Sequence, residues 1–417
     1  MSDQAKRVQR IYLVLTLLST LAASFIWGIN TLFLLDAGLT NTEAFAANAF
    51  FTVGQVIFEV PTGVVADTWG RRTSYLLGAA TLLLSTLLYL AMWKIHAPLW
   101  SWAVASAVLG LGFTFFSGAT EAWLADALTF TGAKDEMDVV LGRGQVVFGI
   151  AMLIGSVGGG FIAQASDLGV PYLVRSVVLA FTFVAAALWM RDLGFTPDRS
   201  KGVRAQVRLV LRASIDNGWR NPPVRWLMLA GLFNGGVGMY AFYALQPFVL
   251  QLYGDERAFG VAGVLAALVS GTQIVAGLAA PLLRRMASRR THVLLGTTLV
   301  SAACLLAMGF MSSFPVALAV VVVWSFSFWA ATPFREAYVN ALIPSAQRAT
   351  VLSFDNLMDS AGGALAQPML GRVADASGYP ASYLVCSAIQ AAALPFVALA
   401  RREDAPSDAI AFKPDPR

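Results

Sequence analysis

Twelve apolar runs follow one another along the 417-residue chain, and together they rule out a soluble fold. They cover residues 11–35, 44–66, 73–92, 99–126, 144–163, 171–190, 225–252, 259–283, 293–311, 315–341, 351–373 and 382–400. Each holds about 20 residues or more, the length needed to cross ~30 Å of hydrocarbon at ~1.5 Å per residue. Lipid offers no hydrogen-bond partner to an open backbone, so each run is expected to be a helix. Composition agrees: 57% of residues are hydrophobic and 13% charged, against about 25% charged in soluble domains. The expectation is an all-α, multi-pass membrane protein with 12 transmembrane helices.

Lys and Arg placement orients the chain. With a cytoplasmic N-terminus and strict alternation, 24 of the 29 basic residues fall on the inner side. Arg191, Arg225 and the six basic residues between them form the largest group. Lys94, Arg175, Arg257 and Arg372 fall outside or at the outer rim, and Arg335 lies within a helix. Such a bias is the positive-inside rule, so both termini are expected in the cytoplasm and the net charge of +5 reports topology, not nucleic-acid binding. Leu21-Ala22-Ala23 faintly resembles a cleavage site, but the apolar run continues past it, which favours an uncleaved first helix. Cys304 and Cys386 lie in helices and imply no disulfide framework. His96 and His292 fall on opposite sides of the membrane and share no metal site.

The one long hydrophilic connection divides the chain into a six-helix half (1–190), a cytoplasmic central loop (191–224), a second six-helix half (225–400) and a cytoplasmic tail (401–417). In the loop, Arg204, Arg208 and Arg212 recur every four residues, the pattern of a short helix on an anionic leaflet or of a solvated basic linker. The halves look like copies. A shift of 211 residues matches 160–174 to 371–385 at seven of fifteen positions, among them Ala163/Ala374, Tyr172/Tyr383, Leu173/Leu384 and Val174/Val385. A shift of 214 pairs Gly63 with Gly277, Glu121 with Arg335 and Asp126 with Asn340. Parallel repeats that rock about a site at their interface are an architecture of secondary transporters.

Between the second and third runs stands Gly63-x-x-x-Asp67-x-x-Gly70-Arg71-Arg72. This resembles the signature loop of the major facilitator superfamily, and the twelve runs, two halves and central loop extend the resemblance over essentially the whole chain. Thr68 stands where the family usually has Arg. The second copy keeps Gly277, Arg284 and Arg285 but has Pro281 where the Asp would stand. The resemblance implies a gate in which Asp67 accepts hydrogen bonds from the N-terminus of the eleventh helix, favoured by the helix dipole, while Gly63 permits close approach. A plain topology anchor is the bland alternative. In the fifth run, Ala151-x-x-x-Gly155-Ser156-Val157-Gly158-Gly159-Gly160 resembles the glycine-rich motif of the antiporters, with Ser156 in place of Pro. Ordinary close packing explains much of it.

Charges inside the membrane are costly and mark function by default. Glu59 lies ~12 Å inside the end of its helix, and Asp359 is near the midplane with Asp355 one turn nearer the inner side. Glu121 and Asp126 lie on the cytoplasmic half of the fourth run, with Arg335 and Glu336 in the matching part of the tenth. The family fold lines its cavity with helices 1, 4, 7 and 10, which brings Glu121, Arg335 and Glu336 to the pathway. An acid beside a movable arginine can load and release a proton, whereas a fixed pair would only hold structure. For Asp355 and Asp359, helix packing through Gly362 and Gly363 is a rival role.

Trp27, Asn30, Phe116, Tyr240, Tyr243, Trp324 and Phe328 are the cavity candidates, and an aromatic wall with isolated acids suits lipophilic, cationic solutes. The sequence has no G-x-x-x-x-G-K-[ST], so a gradient rather than ATP is expected to drive transport. The resulting expectation is a monomeric, proton-coupled exporter of lipophilic small molecules in the plasma (bacterial inner) membrane. It resembles the drug/proton antiporter branches, without cofactor, metal, catalytic residue or nucleic-acid partner. Proton-coupled uptake of a small metabolite is the alternative. A membrane-embedded enzyme would need a nucleophile–base or metal cluster, and a channel would need rings of charge.

Overall fold

The computed structural model describes residues 2–197, 208, 212, 215–343 and 348–410. The first half holds α1 (Asp3–Trp27), α2 (Asn30–Asp36), α3 (Asn41–Trp69), α4 (Arg71–Ile95), α5 (Leu99–Phe116), α6 (Ala119–Phe130), α7 (Met137–Ala165) and α8 (Val170–Trp189). The second holds α9 (Pro222–Tyr253), α10 (Phe259–Met286), α11 (Arg290–Met308), α12 (Phe314–Leu342), α13 (Arg348–Ala391) and α14 (Leu394–Arg402). Local chemistry sets the boundaries. Ser2 caps α1 by accepting from the Ala5 N–H. Thr40 and Glu43 form a reciprocal capping box at α3. Proline at the first turns of α8 and α9 gives up N–H groups that would have had no partner there.

Among the described residues, eleven helical stretches are long and apolar enough to span a membrane. One of them is double. A straight 44-residue α13 would extend about 66 Å, twice the hydrocarbon thickness, but Gly378 breaks it at φ 81°, ψ 169°. The arm before Gly378 carries the eleventh apolar run, and the arm after it carries the first part of the twelfth, which continues into α14.

Three runs depart from the expected single helix, the twelfth (382–400) among them, since α13 ends at Ala391 and α14 begins at Leu394. The first is interrupted at Gly28–Ile29, between α1 and α2. The fourth, expected to be continuous over 99–126, breaks at Ser117–Gly118, where Gly118 has φ 68°. Apolar residues continue through these breaks, so hydropathy does not register them.

The chain divides into two compact units. One comprises Met1–Val207 with Asp255–Ala267, the other Arg208–Gly254 with Leu268–Arg417. In the first unit, α7 lies so close to α1 that a Cβ on Gly159 would overlap the Phe25 carbonyl, and one on Gly155 the Ser24 hydroxyl. Ser24 in turn donates to the Ala151 carbonyl at 3.0 Å. These close approaches account for the small residues of the fifth run by backbone packing. Gly63 behaves otherwise: among the described residues, an added Cβ there meets nothing within 4 Å. Arg175, expected outside or at the outer rim, stands near the start of α8 and is 2% exposed.

In the second unit, α9 and α13 interlock. A Cβ on Gly362 would overlap the Leu232 carbonyl, and one on Gly235 would press on the Asp359 backbone. The tail beyond α14 is also built in. Asp408, 1% exposed, accepts from the Thr291 N–H at 2.8 Å and from its hydroxyl at 2.7 Å, capping α11. Arg289 pairs with Asp404 at 2.6 Å, and Arg290 donates to the Ser407 carbonyl. Residues 411–417 and most of the expected linker helix, including Arg204 but not Arg208 and Arg212, lie outside the described residues.

Candidate functional site: a charged cavity in the second unit

Four helices of the second unit surround a cavity of about 460 Å³. α12 turns Phe328, Thr332, Arg335, Glu336 and Asn340 to it, a spacing that keeps one helical face inward. α13 contributes Asp355, Asn356 and Asp359 at the same period, and Gln390 lines it as well. α9 supplies Gly231, Asn234 and Gly235, and α11 supplies Thr297, Thr298 and Ser301. The glycines of α9 bring α13 near: a Cβ on Gly231 would overlap the Asp359 carboxylate. Pro333 lies inside α12 beside these residues and withholds one backbone N–H from the ladder there.

Arg335 is the centre of the charge. Its two terminal nitrogens each donate to one oxygen of Asp355 at 2.6 Å, a bidentate pair. The Nη2 reaches Asp359 only at 3.4 Å and the Leu227 carbonyl at 3.5 Å. The side chain of Asp355 is 4% exposed, that of Asp359 34%. The two acids therefore differ: one is locked to the guanidinium, the other is loosely held and open to the cavity. The sequence paired Arg335 with Glu121 by repeat position, but among the described residues its ion-pair partners are Asp355 and Asp359. Glu336 lines the cavity and is exposed.

The remaining wall is polar. Gln390 donates to Asn234 at 2.7 Å, while Gln390 Oε1, Asn340 Oδ1 and Ser301 Oγ are buried with no partner among the described residues. Buried polar atoms are normally satisfied, so three such atoms around one cavity fit a hydrogen-bonding occupant. Among the aromatic candidates, Phe328 lines this cavity and Trp324 is buried beside it, ring centroids 6.0 Å apart. Tyr240 is buried and donates to the Ser382 hydroxyl at 2.7 Å. Tyr243 stands edge-on to Phe242, and Trp27 is 37% exposed. Asn30 is buried between Asn48, to which it donates, and Tyr172, from which it accepts, both at 2.9 Å. Phe116 stacks on Tyr75.

The signature loop forms a second polar cluster, in the first unit. Gly70 has φ 105°, and a Cβ there would overlap the Asp192 carboxylate. Asp192 accepts from the Arg72 N–H at 2.8 Å, capping α4, while the Arg72 side chain donates to the Ala187 carbonyl at 2.7 Å. Burial raises the Asp192 carboxyl above its ordinary value, against the pull of the Arg72 N–H and of Arg72 and Arg71. Arg71 pairs with Asp67 at 2.6 Å and reaches Asp126 at 3.8 Å. Residues 344–347, which lead into the helix expected to receive Asp67, lie outside the described residues. Glu59 accepts from Ser117 at 2.9 Å, at the break between α5 and α6. Glu121 is exposed in the first turn of α6.

A polar cavity among membrane-length helices fits a transporter fold. The model of the Major Facilitator Superfamily matches residues 12–366 and 267–415, and the chain belongs to that superfamily. No curated protein matches it. Among solved structures, a bacterial homolog of the human lysosomal transporter Spinster, inward-facing and unoccupied, matches with TM-score 0.74 at 14% identity over 100% of both chains. The POT family transporter PepTSo matches with TM-score 0.73 at 12% identity, over 96% of this chain and 99% of that one. A D-xylose-proton symporter matches with TM-score 0.67 at 16% identity, over 95% and 97%. At these identities the likeness is one of fold.

Proposed function

We propose that the chain is a proton-coupled secondary transporter whose cargo is a small polar solute held in the second-unit cavity. The observation that carries this reading is the unequal treatment of two carboxylates by one arginine. Asp355 is fixed by two 2.6 Å bonds, while Asp359, 3.4 Å away and open to the cavity, is free to change partner. In this reading Asp359 binds the proton, or a cationic group of the cargo, in one state and returns to Arg335 in the other. A small movement toward or away from the guanidinium changes the charge that Asp359 faces. The unpaired Ser301, Asn340 and Gln390 atoms hold the cargo by hydrogen bonds. Glu336, Glu59, Glu121 and Asp126 remain further proton candidates, and Asp67 with Arg71 and Arg72 forms the cytoplasmic gate.

Export of a lipophilic molecule is the second reading, supported by the Phe328 ring that lines this cavity and the rings of Trp324 and Trp329 that pack against it. The protein is further proposed to act as a monomer in the plasma membrane with both termini cytoplasmic. Proteoliposomes on a solid-supported electrode test the two readings together. They are challenged in turn with dipeptides, nucleosides, monosaccharides, amino acids and lipophilic cationic dyes. Saturable currents with a polar class, lost on collapse of the proton gradient, support the first reading. Currents with the dyes alone support the second. Transport indifferent to the gradient removes proton coupling from both.

A further inference from the structure

Arg175 is a buried charge of the first unit with no acid beside it among the described residues. It stands in the second turn of α8, 2% exposed, and donates from Nε to the Thr86 hydroxyl at 3.0 Å and from Nη1 to the Ala22 carbonyl at 3.1 Å. Its guanidinium lies 6.0 Å from the Phe113 ring. None of these groups carries a negative charge. The helices around it cannot supply one either. α4, α5 and α8 contain no Asp or Glu, and α1 and α7 hold only Asp3 and Asp138. Asp3 is nineteen residues before Ala22, about 28 Å along the helix, and Asp138 is fourteen before Met152, about 21 Å. A buried charge left without a counter-charge is strongly unfavourable.

The fold itself does not ask for this charge. The repeat that aligns the two halves sets Tyr172-Leu173-Val174-Arg175-Ser176 on Tyr383-Leu384-Val385-Cys386-Ser387. Cys386 is as buried as Arg175 and neutral. One copy of the same helix thus closes with a thiol and the other holds a guanidinium. Beside that guanidinium is a cavity of about 140 Å³, more than one water needs, lined by Ser19, Thr20, Phe116 and Met152 among others.

We propose that Arg175 and this cavity form a binding site for a small monovalent anion, either a halide or a small carboxylate. The guanidinium supplies the charge, the Thr20 hydroxyl is a donor, the Ser19 hydroxyl becomes one on turning from the Thr16 carbonyl to which it donates at 3.3 Å, and the Phe and Met side chains exclude larger or strongly hydrated anions. Bound anion is the missing counter-charge, so occupancy stabilises the first unit. The site is separate from the second-unit cavity and stands whether or not the transport reading holds.

The test uses the purified full-length chain in nanodiscs, with its melting temperature followed as sodium gluconate is exchanged for chloride, bromide or acetate at constant ionic strength. The wild type is expected to show a saturable rise, with halide and acetate arms identifying which anion is preferred. Arg175→Cys, which installs the residue of the duplicate helix, is expected to weaken the apparent affinity by about tenfold or more, the scale of one lost charge-assisted contact. Ser19→Leu, which fills the cavity and leaves Arg175 in place, is expected to weaken it likewise and decides the matter if Arg175→Cys does not fold. A bromide-soaked crystal is expected to show anomalous density beside Arg175. A flat wild-type response, or a Ser19→Leu response equal to wild type, overturns the proposal.

Discussion

Arg335 on α12 and Asp355 on α13 are joined by two parallel hydrogen bonds of 2.6 Å, and this pair fixes one wall of the charged cavity. Breaking a buried pair from one side strands the other charge, so Asp355→Asn and Arg335→Gln are each expected to destabilise the protein. The cost is on the order of 3 kcal/mol, at the low end for such pairs because Arg335 keeps part of its side chain open to the cavity. The double variant is expected to melt above either single one. Melting of the three variants in one detergent checks this, and additive losses in the double variant would contradict it.

The glycines of α7 make a sharper packing prediction. Gly159→Ala drives a methyl into the Phe25 carbonyl and is expected to abolish the folded yield, while Gly158→Ala, whose nearest neighbour is 3.6 Å away, is expected to be tolerated. Size-exclusion profiles of the two variants distinguish steric packing from a general intolerance of the glycine run.

At the signature loop, Asp192→Ala removes the cap of α4 and is expected to cost about 1 kcal/mol, whereas Asp192→Asn keeps an acceptor and costs less. The sign of the pH effect follows from burial. The carboxyl is raised in the folded state, so its protonated form is the better tolerated one. Its contribution is full below the ordinary carboxylate value and is lost as pH rises through the raised one. Wild type is therefore expected to gain melting temperature relative to Asp192→Asn as pH falls through that window.

Asp67 is half exposed and pairs with Arg71 one turn away, a contact worth about 0.3–0.5 kcal/mol. Asp67→Asn is thus expected to leave stability nearly unchanged while shifting the protein toward its inward-open state. Cysteine accessibility from each side reports the shift, and an unchanged distribution with unchanged transport would remove the gate role.

The membrane class and the helical transporter fold were legible in the sequence because each rests on runs of many residues. The breaks at Gly28 and Gly118 were not, since neither interrupts the apolar content that marks a span. Arg335 was legible as a charge within a helix, but its partner was not. Repeat position pointed to Glu121, and only the interlocked glycines of α9 and α13 bring Asp355 and Asp359 to the arginine. Arg175 was legible as a charge near one end of its helix, but its burial was not: charge position along a helix gives depth in the membrane, whereas burial depends on what neighbouring helices place around it.

Gradient-driven accumulation set against solute exchange, in proteoliposomes carrying wild type or Asp359→Asn, tests the central claim most directly, using the polar solute that gives current with the wild type. An asparagine mimics a permanently protonated Asp359, so the variant is expected to exchange solute across the membrane without a gradient and to lose accumulation driven by protons. Accumulation at the wild-type level by Asp359→Asn would contradict the account.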